Sequence, residues 1–478
     1  MKVDFAKLDR AFNPKCLVVV GDKGVTNFRW LRSNMNTEGS LYSVQIDPKE
    51  IEGIKALEVP NFLSLMDVPE PVDLAIVAVP REVTPRILED CIRKDVAVAH
   101  FFTAGFAETH AEPGITLERR LVDRAEQANF HLLGPNCMGI LNPRGGFAMG
   151  PGQTPPIREP SKYVAGSVGL ISQSGMHGGT LVREAAIQGV KVSKAVSYGN
   201  GTVLDSTDFL EYFGQDKEIT GIGLYVEGIK DGRRFLKVLK EVCRRKPVVI
   251  WKGGRTEAGS RTSSSHTDSM SAPRPIWEAA VKQCGAISVN RMDELIDVLQ
   301  ALQFMSPVHG DGVGLTGGSG GQGVAMTDAF TEAGLSVPRL TQESCDKLAG
   351  FFTMIGGSYL NPIDTANENR NNMARIIEIL EQDANVDNLV VLVGSRGGGT
   401  PQFDTLVNSL AEVRKRANKP VMTLVPMSIA PGEAEQAGAT IEKLQKAGIA
   451  AFFSMERGAA ALKKALDYYN LKMSISAG

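Results

Sequence analysis

The chain lacks paired cysteines, strong net charge and any long apolar run. Its six cysteines, Cys16, Cys91, Cys137, Cys243, Cys284 and Cys345, are scattered with no C-x-x-C pair and no metal spacing. That argues against a structural zinc and fits a reducing compartment. Formal charge is only −2 over 478 residues, so no global field draws nucleic acid or an acidic membrane. Any anion must be met by local loops. No apolar run approaches the ~18 residues of a membrane span. The start, Met1-Lys-Val-Asp-Phe-Ala-Lys-Leu-Asp-Arg10, offers no apolar stretch for a signal peptide. The expectation is a soluble, cytoplasmic protein that holds no metal. Also missing are a Walker lysine and a complete G-x-G-x-x-G fingerprint.

What is present in quantity is glycine, 50 residues, recurring after short apolar runs. Those runs alternate with helix-length segments almost from end to end, the pattern of parallel sheets covered on both faces. A first group contains Leu17–Val20, Tyr42–Ile46, Leu74–Val79, Val96–Phe102 and His131–Leu133. After a Pro- and Gly-rich stretch over 143–165, a second group runs from Val168–Ile171 to Ala286–Val289. After Ser306–Gly312, a third runs from Val313–Leu315 to Ala451–Phe453. The expected domains are 1–150, 166–305 and 310–478, all α/β.

Two turns share one design. Gly169-Leu-Ile-Ser-Gln-Ser-Gly175 and Gly314-Leu-Thr-Gly-Gly-Ser-Gly320 each carry an apolar strand into a helix through small residues. Backbone amides at such helix starts can approach an anion, which the helix dipole also favours. Taken singly, either could be an ordinary strand–helix turn. Glu227 follows the strand Gly223–Val226, where α/β domains place functional groups. A carboxylate there could orient an imidazole, or could simply be a solvated charge.

The imidazole in question is His266, the only histidine in the 22 residues Lys252–Pro273, where nearly every neighbour is small, polar or charged. On such a loop it could be a general base, a metal ligand or a phosphoryl carrier. In the first domain, Gly21-Asp-Lys-Gly24, Asp47-Pro-Lys49, Val79-Pro80, Thr103-Ala-Gly-Phe106 and Gly134-Pro-Asn-Cys-Met-Gly139 all follow strands. Composition alone would suit NAD or another adenine cofactor there.

Taken in order, Gly-Pro-Asn-Cys-Met-Gly, Ser-Gln-Ser-Gly, Glu227, Trp-Lys-Gly-Gly-Arg-Thr…Ser-His-Thr, Gly-Gly-Ser-Gly-Gly and Asn361-Pro-Ile-Asp364 resemble the nucleoside-diphosphate-forming acyl-CoA synthetases. This superfamily includes succinyl-CoA synthetase, and the order resembles its ADP-forming acetyl-CoA synthetase α-subunit type. The resemblance implies a Rossmann-like CoA-binding domain followed by two flavodoxin-like doubly wound parallel-sheet domains. It puts His266 on the phosphohistidine and Glu227 on the glutamate that orients it. Ser172, Gln173, Ser174 and Gly175, with Gly317, Gly318, Ser319, Gly320 and Gly321, fall on two helix starts that hold phosphate. CoA contacts fall on Gly21, Lys23, Gly24, Lys49, Val79, Pro80, Thr103, Ala104, Gly105, Asn136 and Cys137.

The activity so implied interconverts acyl-CoA, ADP and phosphate with a carboxylic acid, CoA and ATP. An ATP-grasp module is missing, so a β subunit holding ATP/ADP and Mg²⁺ is implied, in a heterotetramer. About ten residues on each side of His266, at ~3.3–3.6 Å each, could carry it on the order of 30 Å between sites. The chain departs from the family pattern at Asp268, Pro273 and Pro275, and at Asp22-Lys23 in the first turn. Asp268, two residues from His266, motivates the alternatives: a CoA-binding regulatory or scaffold protein, or a related acyl or carbamoyl transferase without phosphohistidine.

Overall fold

The computed structural model describes residues 3–148, 166–261, 273–352, 358–365, 367–394, 400–416, 419–427, 430 and 432–477. His266 and Asp268 lie outside these residues. Among the described residues, sixteen strands form three sheets. The first is wholly parallel and comprises β1 (Cys16–Val20), β2 (Ser40–Val44), β3 (Asn61–Phe62), β4 (Leu74–Val77), β5 (Val98–Phe101) and β6 (Leu132–Leu133). Their order, β3-β2-β1-β4-β5-β6, is that of a doubly wound dinucleotide-type sheet. The apolar runs form these strands because both faces are covered: every residue of β1, β4 and β5 is buried.

The second sheet contains β7 (Gly139–Leu141), β8 (Val168–Ser172), β9 (Val192–Ser197), β10 (Gly221–Val226), β11 (Val248–Lys252) and β12 (Ile287–Val289). Its order is β12-β11-β10-β8-β9-β7, with β7 alone antiparallel. The third sheet, β13 (Val313–Thr316), β14 (Asn388–Leu392), β15 (Val421–Leu424) and β16 (Ala450–Phe452), is parallel in sequence order.

Two strands depart from the expected set. β3 is a two-residue edge with no apolar run to announce it. β7 is the more consequential, because it lies in the first domain by sequence yet pairs with β9 of the second sheet. The turn Gly134–Gly139 follows β6, the expected run His131–Leu133, and leads through β7 from one sheet directly into the next. The second sheet is accordingly mixed.

The chain divides into two compact units, residues 1–186 with 190–290, and residues 187–189 with 291–478. In the first, Phe12 stacks on Tyr212 at 5.1 Å and meets Phe213 edge-on at 5.4 Å, joining the N-terminal helix to the helix Ser206–Gln215. In the second, the helix Met292–Phe304 buries Ala301 and Phe304 in one cluster with Phe330, Leu462 and Leu466. No helix among the described residues is long and apolar enough to cross a membrane.

Candidate active site

In the first unit, the strand order brings the C-terminal ends of β9, β8, β10 and β11 side by side. Each end carries a polar group. Gln173 follows β8, Tyr198 follows β9, Glu227 follows β10, and Lys252 closes β11. The ladder continues past the strands, with Gln173 N donating to Tyr225 O at 3.0 Å and Gly253 N to Val226 O at 2.8 Å.

Gln173 is the hub. Its Oε1 accepts from Glu227 N (2.7 Å), Gly228 N (3.1 Å) and the Tyr198 hydroxyl (3.3 Å). Those donors fix which end of the amide is oxygen, leaving its NH₂ end as a donor. Glu227, 8% exposed, accepts from the Tyr225 hydroxyl at 3.0 Å. Burial, and then the Glu227 charge, hold that phenol's pKa above its ordinary value. Lys252, 5% exposed, donates to Glu227 O at 2.6 Å and Gly253 O at 2.5 Å. Burial pushes its pKa from 10.5 down to about 8, against the opposing pull of the Glu227 charge.

The turn itself opens the helix Gly175–Ile187. Ser174 Oγ accepts from His177 N at 3.3 Å, capping the first turn. Ser172 is buried and donates its hydroxyl to Ser174 O at 2.7 Å, so it shapes the turn from beneath. His177, one turn in, lies 4.8 Å from the Tyr225 ring and 4.9 Å from Trp251. Burial lowers its pKa, and the Glu227 charge acts in the opposite direction.

A cavity of about 380 Å³ opens beside this turn, with Asn136, Gln173, Ser174 and Asn200 among its polar walls. It joins the turn to the residues expected to contact CoA. Asn136 takes the left-handed conformation at φ 58°, donates its N–H to Thr103 O at 3.0 Å, and donates Nδ2 to Asn200 Oδ1 at 3.3 Å. Asn200 in turn donates to Glu108 and Glu118, both at 2.8 Å. Glu108 receives the Gly105 N–H at 2.6 Å, so one network ties Thr103–Gly105 to Asn136. Cys137 also lines the cavity, but its buried thiol is held protonated by desolvation and lies 3.7 Å from Phe101 O.

Gly21 sits at φ +84°, where a Cβ would lie 2.5 Å from Val79 Cγ1. That close approach brings the first turn against the Val79-Pro80 segment. Lys23, Lys49, Pro80 and Ala104 are exposed. Gly24 N donates to Glu50 at 2.6 Å, and buried Asp22 accepts from Leu31 N at 2.9 Å. Asp22 thus organises the following helix, which accounts for a charged residue at that position.

The second turn belongs to the second unit. Gly317 and Gly318 have φ of +100° and +75°. Gln322 accepts the Ser319 N–H at 3.0 Å, and a Cβ on Gly320 would lie 3.3 Å from Asp364 Oδ2. Gly321 opens freely, with nothing within 4 Å of a Cβ there. Asn361 braces β13, accepting from Leu315 N at 2.9 Å and donating to Val313 O at 2.8 Å.

Tyr225, Lys252, His177, Tyr198, Asn200, Glu108 and Glu118 were not singled out from sequence. Tyr225 and Lys252 read as strand residues, and only the adjacency of β8, β10 and β11 turns them toward Glu227. His177 was within sight, four residues after Gln173.

The chain is similar to known proteins over nearly its whole length. Residues 18–143 match a CoA binding domain, and residues 165–302 match a succinyl-CoA ligase like flavodoxin domain. The α subunit of acetate–CoA ligase [ADP-forming] II from Pyrococcus furiosus is 34% identical, over 95% of this chain and 96% of that one. Acetate–CoA ligase [ADP-forming] I from Archaeoglobus fulgidus is 35% identical, over 86% of this chain but only 58% of that longer protein. Among solved structures, a dinucleotide-forming acetyl-coenzyme A synthetase 1 from Ca. Korarchaeum cryptofilum, in complex with phosphate and ADP, superposes with TM-score 0.83 at 27% identity, covering 98% of each chain. With the relation to the α subunit spanning both chains almost entirely, this chain belongs to the ADP-forming acetate–CoA ligase family of acid–thiol ligases, as a member of its α-subunit type.

Proposed function

We propose that the chain is the CoA-binding, phosphohistidine-bearing subunit of an ADP-forming acyl-CoA synthetase, with His266 as carrier. CoA would be held by the first-domain segments around Gly21, Lys49, Val79-Pro80, Thr103–Gly105 and Asn136. The close-packed Gly21 turn and the cavity beside Asn136 fit a ligand that threads between them. An oxygen of phosphate, seated on the amides at Ser174–Gly175, attacks the thioester carbonyl. The carbon–sulfur bond breaks, the thiolate takes up a proton, and acyl phosphate remains. Donors on the turn and the Gln173 amide stabilise the oxyanion on the way.

His266 then attacks phosphorus, and the carboxylate leaves. Glu227 accepts a hydrogen bond from the imidazole N–H, keeping the other nitrogen nucleophilic. The phosphoryl group passes to ADP on a β subunit, an ATP-grasp partner with Mg²⁺ in a heterotetramer. Relatives named as α subunits support such a partner. The second turn, Gly317–Gly321, is proposed to receive the phosphoryl group on its other stop. The three-domain division 1–150, 166–305 and 310–478 accompanies this reading.

The observation carrying the proposal is the pair of hydrogen bonds that the Glu227 and Gly228 N–H groups donate to Gln173 Oε1, tying the turn to the carboxylate proposed to orient His266. Incubating the chain with radiolabelled acyl phosphate should leave acid-labile, alkali-stable phosphate on it. His266→Ala should abolish both label and ligase turnover; full turnover in that variant would refute the role.

A further inference from the structure

Three rings meet beside Glu227. Tyr225 and Trp251 are register partners on β10 and β11, with their rings 4.4 Å apart. His177 rests on both, 4.8 Å from Tyr225 at 71° and 4.9 Å from Trp251 at 56°. Such contacts fix the tilt of each ring, because the positive edge of one meets the negative face of another. The tilt of Tyr225 in turn aims its hydroxyl, which donates to Glu227 Oε1 at 3.0 Å. A Cβ on Gly253 would lie 2.8 Å from that hydroxyl and 3.1 Å from Glu227 Cγ, so the chain leaving β11 packs closely on the same pair.

The place of His177 also decides its charge. It belongs to the first turn of the helix Gly175–Ile187, where the helix dipole disfavours a cation. Desolvation holds the half-buried imidazole below its ordinary pKa of 6.5, with the Glu227 charge opposing. The titratable groups on the strands packed against it are Tyr225 and Glu227 on β10 and Lys252 on β11. Lys252 directs its ammonium to Glu227 O and Gly253 O. Next along its own helix come Arg183 and Glu184, paired with each other at 3.5 Å. His177 is therefore uncharged at neutral pH and becomes a cation near Glu227 in acid.

We propose that His177 is a positioning residue for phosphoryl transfer: its ring sets Tyr225 and, through the Tyr225 hydroxyl, Glu227, and protonation of that ring draws the carboxylate out of the reaction. This rests on the ligase reading above. Glu227 can orient the imidazole that takes the phosphoryl group only while its carboxylate is held at one angle and His177 does not compete for it. A neutral His177 meets both conditions. An imidazolium there would attract the carboxylate to itself, and an aliphatic side chain would leave Tyr225 without its edge contact.

The test loads the full chain from radiolabelled acetyl phosphate, or from labelled ATP with its nucleotide-binding partner. The initial rate of labelling of His266 is read between about pH 5 and pH 8. His177→Ala should slow labelling at neutral pH by about tenfold, and His177→Phe, which keeps a ring there, should recover most of that loss. In a Tyr225→Phe background His177→Ala should add less than about twofold, because the hydroxyl it acts through is gone. Lowering the pH to about 5 should slow the parent about threefold more than His177→Phe, which has no cation to form. Labelling of His177→Ala at the parent rate, effects of the two substitutions that multiply, or matching pH profiles for the parent and His177→Phe would overturn the proposal while leaving His266 as carrier. Label by neither route in the parent, or undiminished label in His266→Ala, would overturn the ligase reading and this proposal with it.

Discussion

The turn at Ser172–Gly175 and the turn at Thr316–Gly321 close a buried strand and open a helix in the same way, yet their surroundings differ. Around the first, three adjacent strand ends supply Gln173, Glu227, Tyr225 and Lys252, and the bonds run from one strand end to another. Around the second, Gln322 returns to Ser319, the Asn361–Asp364 segment braces the strand beneath, and Thr365 N donates to Gly318 O at 3.2 Å. Conformational demand is reversed. A Cβ on Gly175 would meet only the flexible Met138 side chain, whereas one on Gly317 would lie 2.3 Å from Leu392 O at a φ of +100°. One turn is rigid because its own backbone demands glycine; the other is held by side chains reaching in from neighbouring strands.

The largest expected effect falls on Glu227, the buried carboxylate beside the first turn. Glu227→Gln should reduce phosphoryl transfer to His266 by about 10²–10⁴-fold with the fold retained, read by labelling and circular dichroism. Equal labelling would remove the distinction between the turns.

Next come the glycines. Gly317→Ala should destabilise the second unit by more than about 3 kcal/mol, because the clash is with backbone. Gly175→Ala should cost about 1 kcal/mol and act mainly by crowding the turn against Met138. Denaturant unfolding of each variant checks the order, and a reversed order would sink the argument.

Lys252 gives a pH signature. Its pKa falls from 10.5 to about 8 on folding, so between those values the unfolded chain binds more protons than the folded one. Stability from this group therefore rises as pH climbs through that window, and the penalty is fully present below it. Lys252→Met should remove on the order of 1–2 kcal/mol of that rise, measured as the difference in unfolding free energy between pH 7.5 and pH 10. An identical pH dependence in the variant would contradict it.

The smallest effect belongs to the second turn's own cap. Gln322→Ala should lower stability by about 0.5 kcal/mol, the low end for loss of a cap, with little change in labelling of His266.

Much of this is legible in the amino-acid sequence. The alternation of buried runs and helices announced parallel sheets, and the four strands of the third sheet fall where their apolar runs lie. Gln173 and Glu227 were singled out because each directly follows such a run. β7 escaped because three residues, Gly139–Leu141, carry too short a pattern to register. Tyr225 escaped because an aromatic in a buried strand reads as core, and most of its ring is indeed there. Asn200 looked like part of a glycine-rich loop; its hydrogen bonds to Glu108 and Glu118 span 92 and 82 residues.

The sequence by itself determined the fold class, the two glycine-rich helix starts and the family, because each is written in local periodicity, local turn chemistry or the order of short motifs. Tertiary structure alone decided which strand ends are neighbours. That order, β11-β10-β8-β9, turns Lys252, Tyr225 and Tyr198 toward Glu227 and Gln173, and it leaves a neutral, methionine-walled cavity beside one turn. The reason is physical: side-chain alternation is set within a strand, but the partners a side chain meets are set by which strands hydrogen-bond across the sheet.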